Sequence, residues 1–104
     1  MAAVLTGAQV KKLRSMAHGL TPVVMVGKNN VNDDVVARAD EVLEARELIK
    51  CSVLDSSDLS TREAAEELAQ RTGAQVVQVI GRKFSLYRET HRKDVKKIDL
   101  RSFQ

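Results

Sequence analysis

The stretch Pro22-Val23-Val24-Met25-Val26-Gly27-Lys28-Asn29-Asn30-Val31-Asn32-Asp33-Asp34 moves from a continuous apolar run, through a Gly/Asn loop, to a helix-capping residue. The apolar run reads as a short strand covered on both faces or nearly so. Gly27 to Asn30 reads as a loop, because Gly and Asn tolerate left-handed backbone and Asn does not favour continuing a strand. Asn32 suits the N-cap, Asp33 and Asp34 suit the positive end of the helix dipole, and Val35, Val36, Ala39, Val42 and Leu43 form an apolar stripe reaching about Arg46. A strand that runs straight into a helix is the first half of a crossover unit.

The second half follows on both sides. Leu48 to Leu54 reads as a strand, and Ser60 with Glu63 forms a capping box that opens a helix with Ala64, Ala65, Leu68 and Ala69 inward, closed by Gly73. Gln75 to Ile80 and Phe84 to Tyr87, joined at Gly81-Arg82-Lys83, read as an antiparallel hairpin. Upstream, Thr6 with Gln9 repeats the capping-box spacing, and Val10, Leu13, Met16 and Ala17 predict a helix from about Gly7 to His18. The expected fold is a single two-layer α/β domain over residues 1–88, of order αβαβαββ with a mixed four-stranded sheet. Residues 89–104 form a basic, loosely attached C-terminal tail.

A chain of 104 residues holds about one domain. No apolar run has the length of a membrane span, the N-terminus lacks a secretory pattern, and a single cysteine, Cys51, forms no intrachain disulfide, so a cytoplasmic protein is expected. The net charge of +3 conceals a division. Residues 1–31 carry four Lys/Arg and no acid, residues 32–81 five against eleven Asp/Glu, and residues 82–104 eight against three. If the fold brings the two basic ends together, they make one positive face suited to a polyanion, with the acidic middle turned away.

Gly27, Lys28, Asn29 and Asn30 stand where backbone N–H groups and a helix N-terminus can hold a phosphate, although the same sequence also suits a plain tight connection. Arg82 and Lys83 at the hairpin turn and Arg88 at the end of the last strand add phosphate contacts if the hairpin end lies beside that loop; otherwise they guard an edge. Lys11, Lys12 and Arg14 spread round the first helix, so only part of that set can face one groove. Tyr87 can stack on a base or pack, and 3% aromatics is too few for a surface of interleaved rings, so recognition of a polyanion is expected to rest on its backbone charge and shape. His18, His91 and Cys51 lie in separate segments, which argues against a metal site, and the acids fall on helix surfaces without a nucleophile or paired carboxylate, which argues against catalysis. No cofactor and no small-molecule substrate are expected.

Three ordered stretches, Leu13 to Val31 (LRSMAHGLTPVVMVGKNNV), Glu47 to Val53 (ELIKCSV) and Thr72 to Arg88 (TGAQVVQVIGRKFSLYR), resemble the CRM domain, the RNA-binding module of chloroplast splicing factors and small bacterial YhbY-type proteins. The resemblance spans about residues 6–88. It implies a fold similar to the C-terminal domain of translation initiation factor three, and association with ribosomal RNA in large-subunit precursors by a monomer that assists assembly. The family pattern places a GxxG loop after the first strand; here its last position is Asn30, which keeps the turn and puts a side chain where a phosphate approaches the backbone. Two other classes stay open: a protein adapter using the acidic helices, and a small DNA-binding architectural protein.

Overall fold

The computed structural model describes residues 5–90 together with Arg92 and Ile98. Its elements are α1 (Gly7–Ala17), β1 (Val24–Val26), α2 (Asp33–Arg46), β2 (Leu48–Val53), α3 (Thr61–Thr72), β3 (Gln75–Ile80) and β4 (Lys83–Tyr87), in the order the sequence predicts. Local capping sets the boundaries. Thr6 Oγ1 accepts from the Gln9 N–H at 3.2 Å while Gln9 Oε1 accepts from the Thr6 N–H at 2.9 Å, and Ser60 with Glu63 repeats the exchange at 3.1 and 2.9 Å. Asn32 Oδ1 accepts from the Val35 N–H at 2.9 Å. Each such cap stabilises its helix by roughly 1 kcal/mol. Gly73, at φ 75°, ends α3 in the left-handed region that glycine enters without strain.

The sheet order is β1-β2-β4-β3, with β1 parallel to β2 and the other pairs antiparallel. Alternation along β2 divides the core. Ile49, Cys51 and Val53 join Val24, Val26, Phe84 and Leu86 in one apolar cluster with Ala39 and Leu43 of α2 and Ala64, Ala65 and Leu68 of α3. Leu48 faces the other way, into a smaller cluster with Val77 and Tyr87 of the hairpin and Leu13 and Ala17 of α1. The sheet with α2 and α3 makes the expected two layers, and α1 lies across one end of the far face. β1 is therefore not covered on both faces: Val24 and Val26 are buried, but Met25 is 49% exposed.

The join between α2 and β2 is held by a buried carboxylate. Glu47, fully buried, takes φ 64° and ψ −44°, outside the left-handed helical region and in a sparsely populated one that costs a non-glycine residue about 1–3 kcal/mol. Several hydrogen bonds offset that strain. The Glu47 N–H donates to the Leu43 carbonyl at 2.8 Å, and its own carbonyl accepts from the Arg88 N–H at 2.9 Å. Its Oε2 accepts from the Thr90 N–H at 2.8 Å and its Oε1 from the Ile98 N–H at 2.6 Å. Thr90, itself buried, also donates from Oγ1 to the Glu44 carbonyl at 2.7 Å, and Ile98 packs against the α1 cluster. At these points the segment after Arg88 is tied to the domain, where the sequence predicts a loose attachment; its other residues, including most of its basic ones, lie outside the described residues.

Replacing Glu47 by Ala leaves two N–H groups without their acceptor and is expected to lower the unfolding free energy by about 2–4 kcal/mol, as measured by urea titration. Gln, which retains one acceptor oxygen, should lose less.

Burial pushes the Cys51 thiol from 9.0 up to about 12. Burial first, then the Glu47 and Glu89 carboxylates, push the Tyr87 phenol from 10.0 up to about 12. Both groups stay protonated in the folded chain while the unfolded chain ionises earlier, so stability is fully present below about pH 9 and falls as pH rises towards 12. Tyr87→Phe should flatten the upper part of that decline, followed by circular dichroism in urea.

Candidate nucleic-acid interface

Because β1 and β2 run parallel and β4 returns antiparallel to β2, the loops after β1 and β2 and the β3–β4 turn all lie at one end of the sheet. They are laced together. The Leu54 N–H donates to the Val26 carbonyl at 2.8 Å, the Val53 N–H to the Arg82 carbonyl at 2.8 Å, and Thr61 Oγ1 to the Gly81 carbonyl at 2.8 Å. Lys28, Arg82 and Lys83 thus come to one end of the domain, as the sequence requires for a joint site.

Asn30 is the keystone of the first loop. It adopts φ 56°, the left-handed conformation expected of it, and its N–H closes the turn on the Gly27 carbonyl at 2.9 Å. Its side chain turns into the neighbouring loop, where Oδ1 accepts from Ser57 Oγ at 2.8 Å and from the Asp58 N–H at 3.1 Å. The amide therefore ties two loops together. Gly27 has ordinary room: a Cβ there would meet Leu54 Cδ1 and Ser56 Oγ at 3.5 Å, without backbone strain. The N-terminus of α2 is already occupied by its own chemistry, since Asn32 caps it and Asp33 and Asp34 stand in its first turn.

The basic candidates separate by environment. Lys28 and Lys83 are exposed. Arg82 pairs with Asp55 at 2.6 Å, but both side chains are more than half exposed, and such a pair is worth about 0–1 kcal/mol, so a phosphate can replace it. Arg88 lies at the opposite end of the sheet, half-buried, donating to Asp40 Oδ1 at 2.6 Å and to the Thr72 carbonyl at 2.7 Å, an arrangement that fastens β4 to α2 and α3. Arg14 donates from Nε to the carbonyl of Val77 at 3.0 Å, beside the irregularity in β3, and so holds α1 to the sheet. Lys11 is exposed and Lys12 half-buried with a partner of its own. Tyr87 is buried against α1 and packs.

The charges divide across the sheet. α1 carries Lys11, Lys12 and Arg14 without an acid, and the half of that face it leaves open carries Lys50 and Lys83. The acids cluster on the far side, with Asp33, Asp34, Asp40, Glu41 and Glu44 on α2 and Glu63, Glu66 and Glu67 on α3. Lys50 and Gln78 escape a reading by charge runs, although their polar positions in alternating strands mark a face without a full apolar cover.

The CRS1 / YhbY (CRM) domain profile matches residues 5–88. Among curated proteins, the chain is 47% identical over 96 residues to the Bacillus subtilis protein named Probable RNA-binding protein YqeI, covering 92% of this chain and 98% of that one. It is 41% identical to the Methanocaldococcus jannaschii protein named Probable RNA-binding protein MJ0652, covering 81% of this chain and 63% of the relative. Among solved structures, the Staphylococcus aureus protein SAV1595 superposes with a TM-score of 0.73 at 38% identity, covering 91% of this chain and all of that one.

Two substitutions separate the roles of Asn30. Asn30→Gly retains the backbone conformation and removes the two side-chain bonds, an expected loss of about 1–2 kcal/mol. Asn30→Ala adds the left-handed strain and should lose about 2–4 kcal/mol in the same urea titration.

Proposed function

Because the chain belongs to the CRS1 / YhbY (CRM) family, we propose that it is an RNA-binding protein that holds the RNA backbone at the loop end of its sheet, in large-subunit ribosomal RNA precursors, and assists assembly without catalysing a reaction. The observation that carries this reading is the meeting of Lys28, Arg82 and Lys83 at one end of the sheet, continuous with the acid-free α1 face. The names of the curated relatives support RNA as the class of partner. The ribosomal target follows from what the CRM resemblance implies, and the reading includes a cytoplasmic site of action and a single copy on its RNA.

A protein-adapter reading would use the acidic helices instead. Of their acids, Asp40 is committed to the half-buried Arg88 at 2.6 Å and Glu44 Oε2 accepts from Thr90 Oγ1 at 2.8 Å, which takes both away from a surface offered to a basic protein, whereas Asp33 with Arg71 and Glu66 with Arg62 are exposed pairs as exchangeable as Arg82 with Asp55.

Replacing Lys28, Arg82 and Lys83 together by Ala is expected to weaken binding to ribosomal RNA and to reduce the slope of log K against log salt by about one for each phosphate that is no longer neutralised. Gly27→Ala, which the fold accommodates, should leave stability within about 0.5 kcal/mol of the parent, so any fall in affinity reports a ligand close to that backbone. In sucrose gradients of cell lysate, the parent should migrate with large-subunit precursors at low salt and leave them at high salt. A position at the top of the gradient at every salt would overturn the ribosomal assignment.

A further inference from the structure

The sheet face that carries α1 is only partly covered. Strand register gives two rows on its open half. Met25, Ser52, Lys83 and Ile80 are successive cross-strand partners over all four strands, and Lys50, Ser85 and Gln78 form the next row over β2, β4 and β3. α1 covers the other end, at Leu48, Val77 and Tyr87. Between the C-terminus of α1 and these rows lies a depression of about 160 Å³, lined by His18, Lys50, Gln78, Ile80, Lys83 and Ser85 among others. Among the described residues, no acidic side chain lines it.

We propose that this depression seats an unpaired nucleotide of the bound RNA with its base against the sheet, a reading that rests on RNA binding at the loop end. The chemistry is that of a splayed base. Met25 at 49% and Ile80 at 55% exposure, two of the three large apolar side chains left in solvent among the described residues, flank the rows, and the third, Leu54, follows β2 at the same end. Of these, Ile80 lines the depression and supplies apolar surface for a planar ring, while Met25 and Leu54 lie outside it, towards the β1 edge and the loop end. Gln78 offers both a donor and an acceptor to a base edge, Lys50 and Lys83 supply donors and positive charge for the attached phosphates, and the exposed His18 adds an imidazole at the rim, while Ser85, 1% exposed, forms the floor. The volume lies below the roughly 300–1,000 Å³ of sites that enclose a whole small molecule, so it suits a flat group whose remainder stays outside.

Position supplies the second argument. Lys83 belongs both to this row and to the β3–β4 turn, so a strand whose phosphates contact Lys28 and Arg82 has its next nucleotide within reach of the open face. Among the described residues, the rings that line the depression are the buried Phe84 and the exposed imidazole of His18, so selectivity rests on hydrogen bonds to base edges more than on stacking over a row of rings. The charge excludes a basic protein partner there.

The test uses the full chain with a labelled single-stranded RNA dodecamer of mixed sequence and with the blunt duplex it forms with its complement. Lys50→Ala with Gln78→Ala should lower affinity for the single strand about tenfold and leave duplex affinity within about twofold, whereas Lys28→Ala with Arg82→Ala should lower both. Lys50→Gln with Ile80→Ser provides a second variant of the open face, and melting curves matching the parent establish that each is folded. Equal losses for the two RNAs in the open-face variants, no loss in either, or a parent that binds only duplex would overturn the nucleotide seat and leave RNA binding intact. A parent that binds ribosomal RNA but neither of these RNAs would overturn the seat alone, and one that binds none of the three would overturn RNA binding itself, and the seat with it.

Discussion

Everything in this domain depends on the alternation of side chains along β2. Ile49, Cys51 and Val53 enter the main core while Leu48, Lys50 and Ser52 point away from it, so one strand carries both the principal stabilising cluster and the surface left for other work. A register shift of one residue would drive Lys50 into the core and Ile49 and Cys51 to solvent. Since fully burying a large apolar side chain contributes roughly 1.5–3 kcal/mol, such a shift is excluded. The placement of Lys50, Ser85 and Gln78 in one row is thus a by-product of how the core is packed.

The same division explains the polarity of the molecule. Covering one face with α2 and α3 requires two amphipathic helices, whose solvent sides carry most of the acids. Covering only part of the other face needs one short helix, and that helix carries cations alone. Sheet topology then brings the parallel loops and the hairpin turn to a single end, where Asn30 joins the first loop to the second through Ser57 and Asp58. The family glycine at this position would supply the left-handed backbone; Asn supplies it and adds a link between loops. The substitution therefore need not close the backbone to a phosphate, because the added side chain is turned into the protein.

Much of this was legible in the chain because the signals are local. Thr6 with Gln9, Asn32, Ser60 with Glu63, and Gly73 act within a few residues, and they place the helix ends to within about a residue of those observed. What escaped depends on distant partners. Arg88 reads as one more cation at a strand end until Asp40 and the Thr72 carbonyl fold against it, and Arg14 reads as a surface charge until Val77 comes beside it. Glu47 is the clearest case. An acid just after a helix is ordinary in a sequence, and its burial becomes intelligible only when Thr90 and Ile98, 43 and 51 residues away, bring their N–H groups to it. Met25 escaped for a related reason: a run of apolar residues does not record that α1 stops short of β1.

These long-range ties also bear on how a polyanion can approach. Asp55 lies within the cationic end, yet its carboxylate is bound to Arg82 in an exposed pair, so the incoming phosphate competes with a weak internal ligand and not with an unopposed negative charge. By contrast Arg88 is held by several acceptors in a half-buried setting, and withdrawing it would strand Asp40 and a backbone carbonyl. Among the described residues, Lys28, Arg82, Lys83 and Lys50 therefore gather at the loop end and the open sheet face, while Arg88 is held fast at the other end. On the proposed reading, an RNA strand attracted by the charge of the domain would replace existing contacts at little cost along the surface that runs from Lys28 and Arg82 across Lys83 to Lys50.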